Sequence, residues 1–289
     1  MQLHSQRRRS TLIGMTAILM WATLALLTEL SGNIPAFQLT AMSFTVAFAV
    51  GVLFLLRAKK SLWQSLRLPK AVWALGISGL FGYHFFYFVA LQNAPIVEAS
   101  LIAYLWPLFI VLFSALLPGE RLRWFHCAGA IASFIGVALL VTKGKSIAFD
   151  ARYTTGYLAA FLCALVWSSY SVLSRRFGDV PTNAVGGFCG VTALLAWACH
   201  FLFEPTVIPI GAEWLAILGL GLGPVGLAFF TWDYGVKHGN LKALGTLSYL
   251  TPLLSTFLLS AFNLAQLSWT VWLACLLIVG GALVSVIPK

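Results

Sequence analysis

The sequence predicts an all-α membrane protein of ten transmembrane helices in two inverted five-helix repeats, with both termini cytoplasmic. Three observations carry that expectation. Sixty per cent of the 289 residues are apolar and only nine per cent are charged, whereas charged residues approach a quarter of an ordinary soluble domain. Tyr104-Leu105-Trp106-Pro107 recurs as Tyr249-Leu250-Thr251-Pro252, and the same offset of 145 carries Trp124 onto Trp269 and Gly136 onto Gly281. The basic residues fall between the apolar stretches with a strong bias to alternate loops.

A helix needs about twenty apolar residues to cross a hydrocarbon core. Such stretches are read at 11–30, 36–56, 71–91, 98–117, 124–142, 154–173, 183–203, 213–234, 242–262 and 268–287. With the amino terminus placed inside, Arg7, Arg8, Arg9, Arg57, Lys59, Lys60, Arg67, Lys70, Arg121, Arg123, Arg175, Arg176, Lys237, Lys242 and Lys289 face the cytoplasm. Only Lys143, Lys145 and Arg152 dissent, and they share one central loop. The positive-inside rule therefore supports ten spans without reference to hydropathy. The net charge of +10 is explained by anionic lipid at these loops, so no nucleic-acid partner is expected. Arg7-Arg8-Arg9 ahead of an apolar run resembles a signal peptide, but no small-x-small cleavage site follows, and the segment reads as a start-transfer anchor.

Upstream the repeat offset slips to 146, pairing Trp21 with Trp167 and Gly32 with Gly178. The halves are thus 1–145 and 146–289, five spans each. Because five is odd, the halves have opposite orientations about an axis in the membrane plane, the build of many secondary transporters. One chain supplies both halves, so a monomer suffices. Pro107 and Pro252 lie mid-span, where proline cannot donate a backbone hydrogen bond and strains the carbonyl four residues earlier. They are expected to kink the helices and free the carbonyls of Ala103 and Ser248, either as hinges or as structural bends. Glycines cluster at 76, 79 and 82, at 186, 187 and 190, and at 219, 221, 223 and 226, where they serve close helix packing or sliding contacts.

Ionisable groups within spans are functional candidates because they are costly there. Glu98 sits in the first turn of a helix, where the dipole welcomes a carboxylate. Glu29 occupies a carboxyl-terminal helix end and has no such compensation; interfacial water or a function accounts for it. Asp233 is placed at an inner helix end, and His200 and His238 at interfaces. His84, flanked by Tyr83 and Tyr87, is either a packing residue or a donor to a solute carboxylate. Trp63, Trp73, Trp124, Trp214, Trp232, Trp269 and Trp272 read as interfacial belt residues. Trp21, Trp106, Trp167 and Trp197 lie deeper, and the first three converge where the halves should meet. Rings there suit a planar, aromatic or cationic solute. The expected solute-binding set is Trp21, Tyr83, His84, Tyr87, Tyr104, Trp106, Trp167 and Tyr249, with Pro107 and Pro252 as hinges or kinks. Cys127, Cys163, Cys189, Cys199 and Cys275 fall inside spans without metal-binding spacing. No protease, hydrolase or nucleotide-binding motif occurs, so neither enzyme activity, metal nor cofactor is expected.

Ala90-Leu91, Pro107, Gly119-Glu120-Arg121-Leu122 and Gly136-Val137 resemble the EamA-type drug/metabolite transporter superfamily over essentially the whole chain. Thr11-Leu12-Ile13-Gly14 with Trp21, Tyr104-Leu105-Trp106-Pro107, and His238-Gly239-Asn240 ahead of Ser248-Tyr249-Leu250-Thr251-Pro252 are similar to its YddG-type aromatic amino acid exporters. The resemblance implies export of Phe, Tyr and Trp, and of aromatic cations, across a bacterial inner membrane by alternating access through a central cavity. Export of other metabolites or drugs is the alternative, and a passive channel is a weaker one. The second half has Leu264-Ala265-Gln266-Leu267 where the first has Gly119-Glu120-Arg121-Leu122, so any role of Glu120 is one-sided.

Overall fold

The computed structural model describes residues 2–59, 61 and 66–285, with the side chains of residues 2–4 excepted. Lys60, Trp63 and Lys289, two expected inner charges and one expected belt residue, lie outside the described residues. All regular structure among the described residues is helical. Among the described residues nine helices are long and apolar enough to span a membrane: Ser5–Leu30, Ala36–Arg57, Lys70–Asn93, Ile96–Leu116, Trp124–Thr142, Ala151–Phe177, Ala184–Phe203, Glu213–His238 and Leu241–Ala261, called the first to ninth spans below. A tenth helix, Trp269–Ser285, is 17 residues long. Its expected continuation to 287 falls outside the described residues.

The prolines break their helices as their missing N–H requires. The fourth span stops at Ala103 and restarts at Trp106; the ninth stops at Leu247 and restarts at Leu250. The Ser248 carbonyl is not left free, because the Thr251 N–H reaches it at 3.0 Å. Two π-helical segments were not foreseen, Ser78–Gly82 in the third span and Gly223–Leu227 in the eighth. The offset of 145 that relates Tyr104 to Tyr249 carries one onto the other, although no residue is identical between them.

Helices of one half pack chiefly on helices of the other. The first span lies on the eighth and ninth, the sixth on the third and fourth, the second on the seventh and the fifth on the tenth helix. Exchanging the halves maps this set of pairs onto itself. Glycines sit at three of the seams: Gly14 against Gly235, Gly51 against Gly186 and Gly129 against Gly281, each leaving no room for a Cβ. Without a hydrophobic drive between helices in lipid, such close backbone approach is what holds them together.

Polar groups lock both ends. At one, Glu204 accepts from the backbone N–H groups of Phe37 and Gln38 at 2.9 and 3.0 Å, satisfying orphan donors at the start of the second span. His200, expected at an interface, is fully buried and holds Glu204 and Thr206 at 3.1 and 2.9 Å. At the other end Lys237, expected in a loop, is buried within the eighth span. Its ammonium pairs with Asp233 at 2.9 Å and donates to the Val180 carbonyl at 3.0 Å, while the Thr182 hydroxyl donates to Asp233 at 2.8 Å.

Candidate functional site

A cavity of about 760 Å³ lies between the halves, within the range of small-molecule sites. It is walled by the carboxyl-terminal parts of the first, third, fifth and ninth spans, the amino-terminal part of the second, and the middles of the fourth, sixth and eighth. Glu29, Ala36, Leu91 and Val141 sit within two residues of the ends of their spans, which assigns the mouth of the cavity to that side. Seven expected residues line it: Trp21, Tyr83, His84, Tyr87, Tyr104, Trp106 and Trp167.

Indoles form the floor. The Trp21 ring centre is 5.7 Å from that of Trp167, 6.2 Å from Trp106 and 5.0 Å from Trp232, mostly edge to face, the arrangement that ring quadrupoles favour. Trp232 is no belt residue; it is fully buried beneath the floor and donates its indole N–H to Ser171 Oγ at 3.0 Å. The eighth span continues to His238, so Trp232 lies deeper than the sequence suggested. Trp21 donates to the Pro224 carbonyl at 3.0 Å, within the π segment. The indole N–H groups of Trp106 and Trp167 have no partner among the described residues and stay available to a solute.

His84 Nδ1 lies 2.7 Å from the Leu80 carbonyl. A carbonyl only accepts, so Nδ1 carries the hydrogen and Nε2 of the neutral ring is the acceptor. In its neutral form His84 thus offers a lone pair, suited to an ammonium, whereas the expected donation to a carboxylate requires the protonated ring. Tyr83 and Tyr87 stack one helical turn apart, 6.1 Å between centres.

Tyr249 does not join the cavity. It is fully buried, and its hydroxyl accepts from the Leu108 N–H at 3.1 Å. Pro252 lines the cavity, whereas Pro107 is buried in the seam with the ninth span, its carbonyl beside Gly245. Phe88, Phe229, Thr40, Ser43, Ser100 and Thr251 line it unforeseen. Thr40 and Ser43 were detectable, being polar residues three apart on one face of an apolar helix. The hydroxyls of Ser43 and Thr251 are buried without a partner among the described residues. Trp106 and its repeat counterpart Thr251 both reach the wall, so equivalent positions contribute unlike chemistry.

The end opposite the mouth is closed. Glu120 takes Lys242 at 2.6 Å, Arg7 at 3.1 Å and Arg175 at 3.7 Å. Gly119 turns the chain there with φ +78, a conformation that suits glycine. Burial would raise the Glu120 carboxyl, but the Lys242 hydrogen bond and the charges of Lys242, Arg175 and Arg7 together hold it below the ordinary value of 4.5. Beside this cluster the Asn240 N–H donates to Thr11 Oγ1 at 2.8 Å, Arg175 donates to the Gly239 carbonyl at 3.0 Å, and Asn240 caps the ninth span through the Ala243 N–H. Thr11-Leu12-Ile13-Gly14 and His238-Gly239-Asn240 thus build the closed end, not the cavity.

The EamA-like transporter family model matches residues 8–142 and again 154–287. The chain belongs to that family. Its relatives are named as exporters and transporters. The aromatic amino acid exporter YddG of Ancylobacter novellus is 56% identical over 280 residues, covering 96% of this chain and 97% of that protein. The protein of the same name from Escherichia coli is 25% identical, with 96% of each chain covered. A crystal structure 55% identical in sequence superposes with a TM-score of 0.92, over 97% of this chain and 98% of that one.

Proposed function

We propose that this EamA-like protein is a secondary transporter that exports the aromatic amino acids Phe, Tyr and Trp across the bacterial inner membrane by alternating access. The observation that carries the reading is the cavity itself, floored by Trp21, Trp106 and Trp167, walled by Tyr83, His84, Tyr87 and Tyr104, and lined toward one side of the bundle by Glu29, Ala36 and Leu91. Rings stack on rings, and a cationic nitrogen is favoured over their faces. The name of the 56% identical relative supports the same substrate class.

In this reading the chain has ten spans, cytoplasmic termini and inverted halves at 1–145 and 146–289. The exchange-symmetric helix pairing and the π segments at equivalent positions support the repeat. The mouth at Glu29 then faces outward, and the Glu120 cluster is the closed cytoplasmic gate. Its rupture, with closure around Glu29, is the transport step. Tyr249 is assigned a structural role and leaves the solute-binding set.

Overexpression is expected to raise labelled phenylalanine in the medium relative to cells. Unchanged efflux from cells that carry the protein in the membrane rejects the reading. Competition by a panel of non-aromatic metabolites separates it from broader export, and flux that never saturates would indicate a channel.

A further inference from the structure

Glu29 is the one carboxylate among the residues lining the cavity, and no Lys or Arg lines it. Exposed Glu29 has neither hydrogen-bond nor ion-pair partner among the described residues, which it shares with Glu98 and Asp179, two carboxylates that do not line the cavity, whereas Glu120, Asp150, Glu204, Glu213 and Asp233 are all partnered. It also sits where a helix disfavours it. The first span ends just beyond, at Leu30, and the Glu29 carbonyl turns back to accept from the Gly32 N–H at 3.3 Å. The negative end of the helix dipole therefore adds to the negative charge of the carboxylate. A charge placed so, at the mouth of an apolar, aromatic cleft, projects its field into the entrance.

We propose that Glu29 is a specificity-determining subsite for a positively charged nitrogen, admitting solutes that carry an ammonium group and repelling those that carry only a carboxylate. The inference rests on the reading of the cavity as a site for aromatic solutes. Neutral His84, with Nε2 as acceptor, gives the wall a second group of the same preference. The partnerless donors, the N–H groups of Trp106 and Trp167, supply the complementary contacts for a carboxylate. An amino acid satisfies both sets, an aromatic amine satisfies the Glu29 side, and an aromatic acid meets Glu29 as a like charge.

The test uses two probes with one ring and one charge each, phenethylamine and 3-phenylpropionate. Their binding to the purified full-length protein is followed by intrinsic tryptophan fluorescence, alongside labelled phenylalanine flux in proteoliposomes. The wild type is expected to prefer the amine. In Glu29→Gln the amine-to-acid preference should fall about fivefold, the worth of a single charge contact near water. A preference unchanged in Glu29→Gln overturns the proposal. Should that variant fail to reach the membrane, Glu29→Asp decides: retained charge on a shorter arm must lower the preference by about twofold, and an unchanged preference is again fatal. If neither probe perturbs the fluorescence of the wild type, Glu29 is no such subsite. Absence of phenylalanine flux with a Glu29-dependent amine preference instead rejects the exporter reading alone.

Discussion

The hydroxyl of Tyr249 accepts a hydrogen bond from the backbone N–H of Leu108 at 3.1 Å, tying the break in the ninth span to the break in the fourth. The fourth span restarts at Trp106, so Leu108 belongs to a new first turn whose amides lack carbonyl partners. Tyr249 supplies one from the other half. Its repeat counterpart, Tyr104, lines the cavity instead. Tyr249→Phe should therefore lower stability by about 1 kcal/mol, the usual net worth of such a bond, with the phenylalanine competition profile intact. Thermal unfolding of the purified protein checks the first part, and flux assays the second.

Glu120 makes stability depend on acidity. Its carboxyl is held below 4.5 in the fold, so the folded form binds a proton more weakly than the unfolded chain does. The resulting stabilisation is complete above about 4.5 and disappears as pH falls through the lower, folded value. The wild type should lose stability across that acid window, and Glu120→Gln should be less stable at neutral pH and flatter below it. The contribution is about 1 kcal/mol or less, since the cluster is partly hydrated. Denaturation midpoints measured at several pH values decide this.

Trp106 and Thr251 make a direct test of the aromatic floor. Trp106→Thr gives both halves the same residue and removes an indole from contact with Trp21, Trp167 and Trp232. Aromatic solutes should bind about tenfold more weakly, in line with roughly 0.5–1.5 kcal/mol per ring pair. A competition assay with unlabelled phenylalanine reads the change; equal loss for aliphatic competitors would argue against ring stacking.

The Asp233–Lys237 pair is buried, so removing one charge strands the other. Asp233→Asn should cost about 3–5 kcal/mol, whereas Asp233→Asn combined with Lys237→Met should recover most of the loss. Membrane abundance and thermal stability of the single and double variants form the cycle that measures it.

The fold was readable where a residue's backbone chemistry forces the outcome. Pro107 and Pro252 had to break their helices, and the apolar stretches had to be helical. The π segments were silent, because Ser78–Gly82 and Gly223–Leu227 share geometry without sharing side chains. For the site, residues deep in predicted spans reached the cavity, but two inferences failed for identifiable reasons. Trp232 sits near the end of the expected span 213–234 but well inside the helix, which runs on to His238. Tyr249, one of the expected solute-binding residues, is buried against Leu108 while its repeat counterpart Tyr104 lines the cavity, because a shared frame does not oblige equivalent side chains to meet equivalent neighbours. Glu29 and His84 stood out in the sequence, but the direction of their chemistry came from partners, or the lack of them, in three dimensions.

The seams between halves also set an order of assembly. Gly14 finds its close partner in Gly235 and Gly51 in Gly186, residues synthesised long after the first spans have entered the bilayer. Contacts so distant along the chain form late. The final packing of the first half therefore depends on glycine surfaces that only the second half supplies.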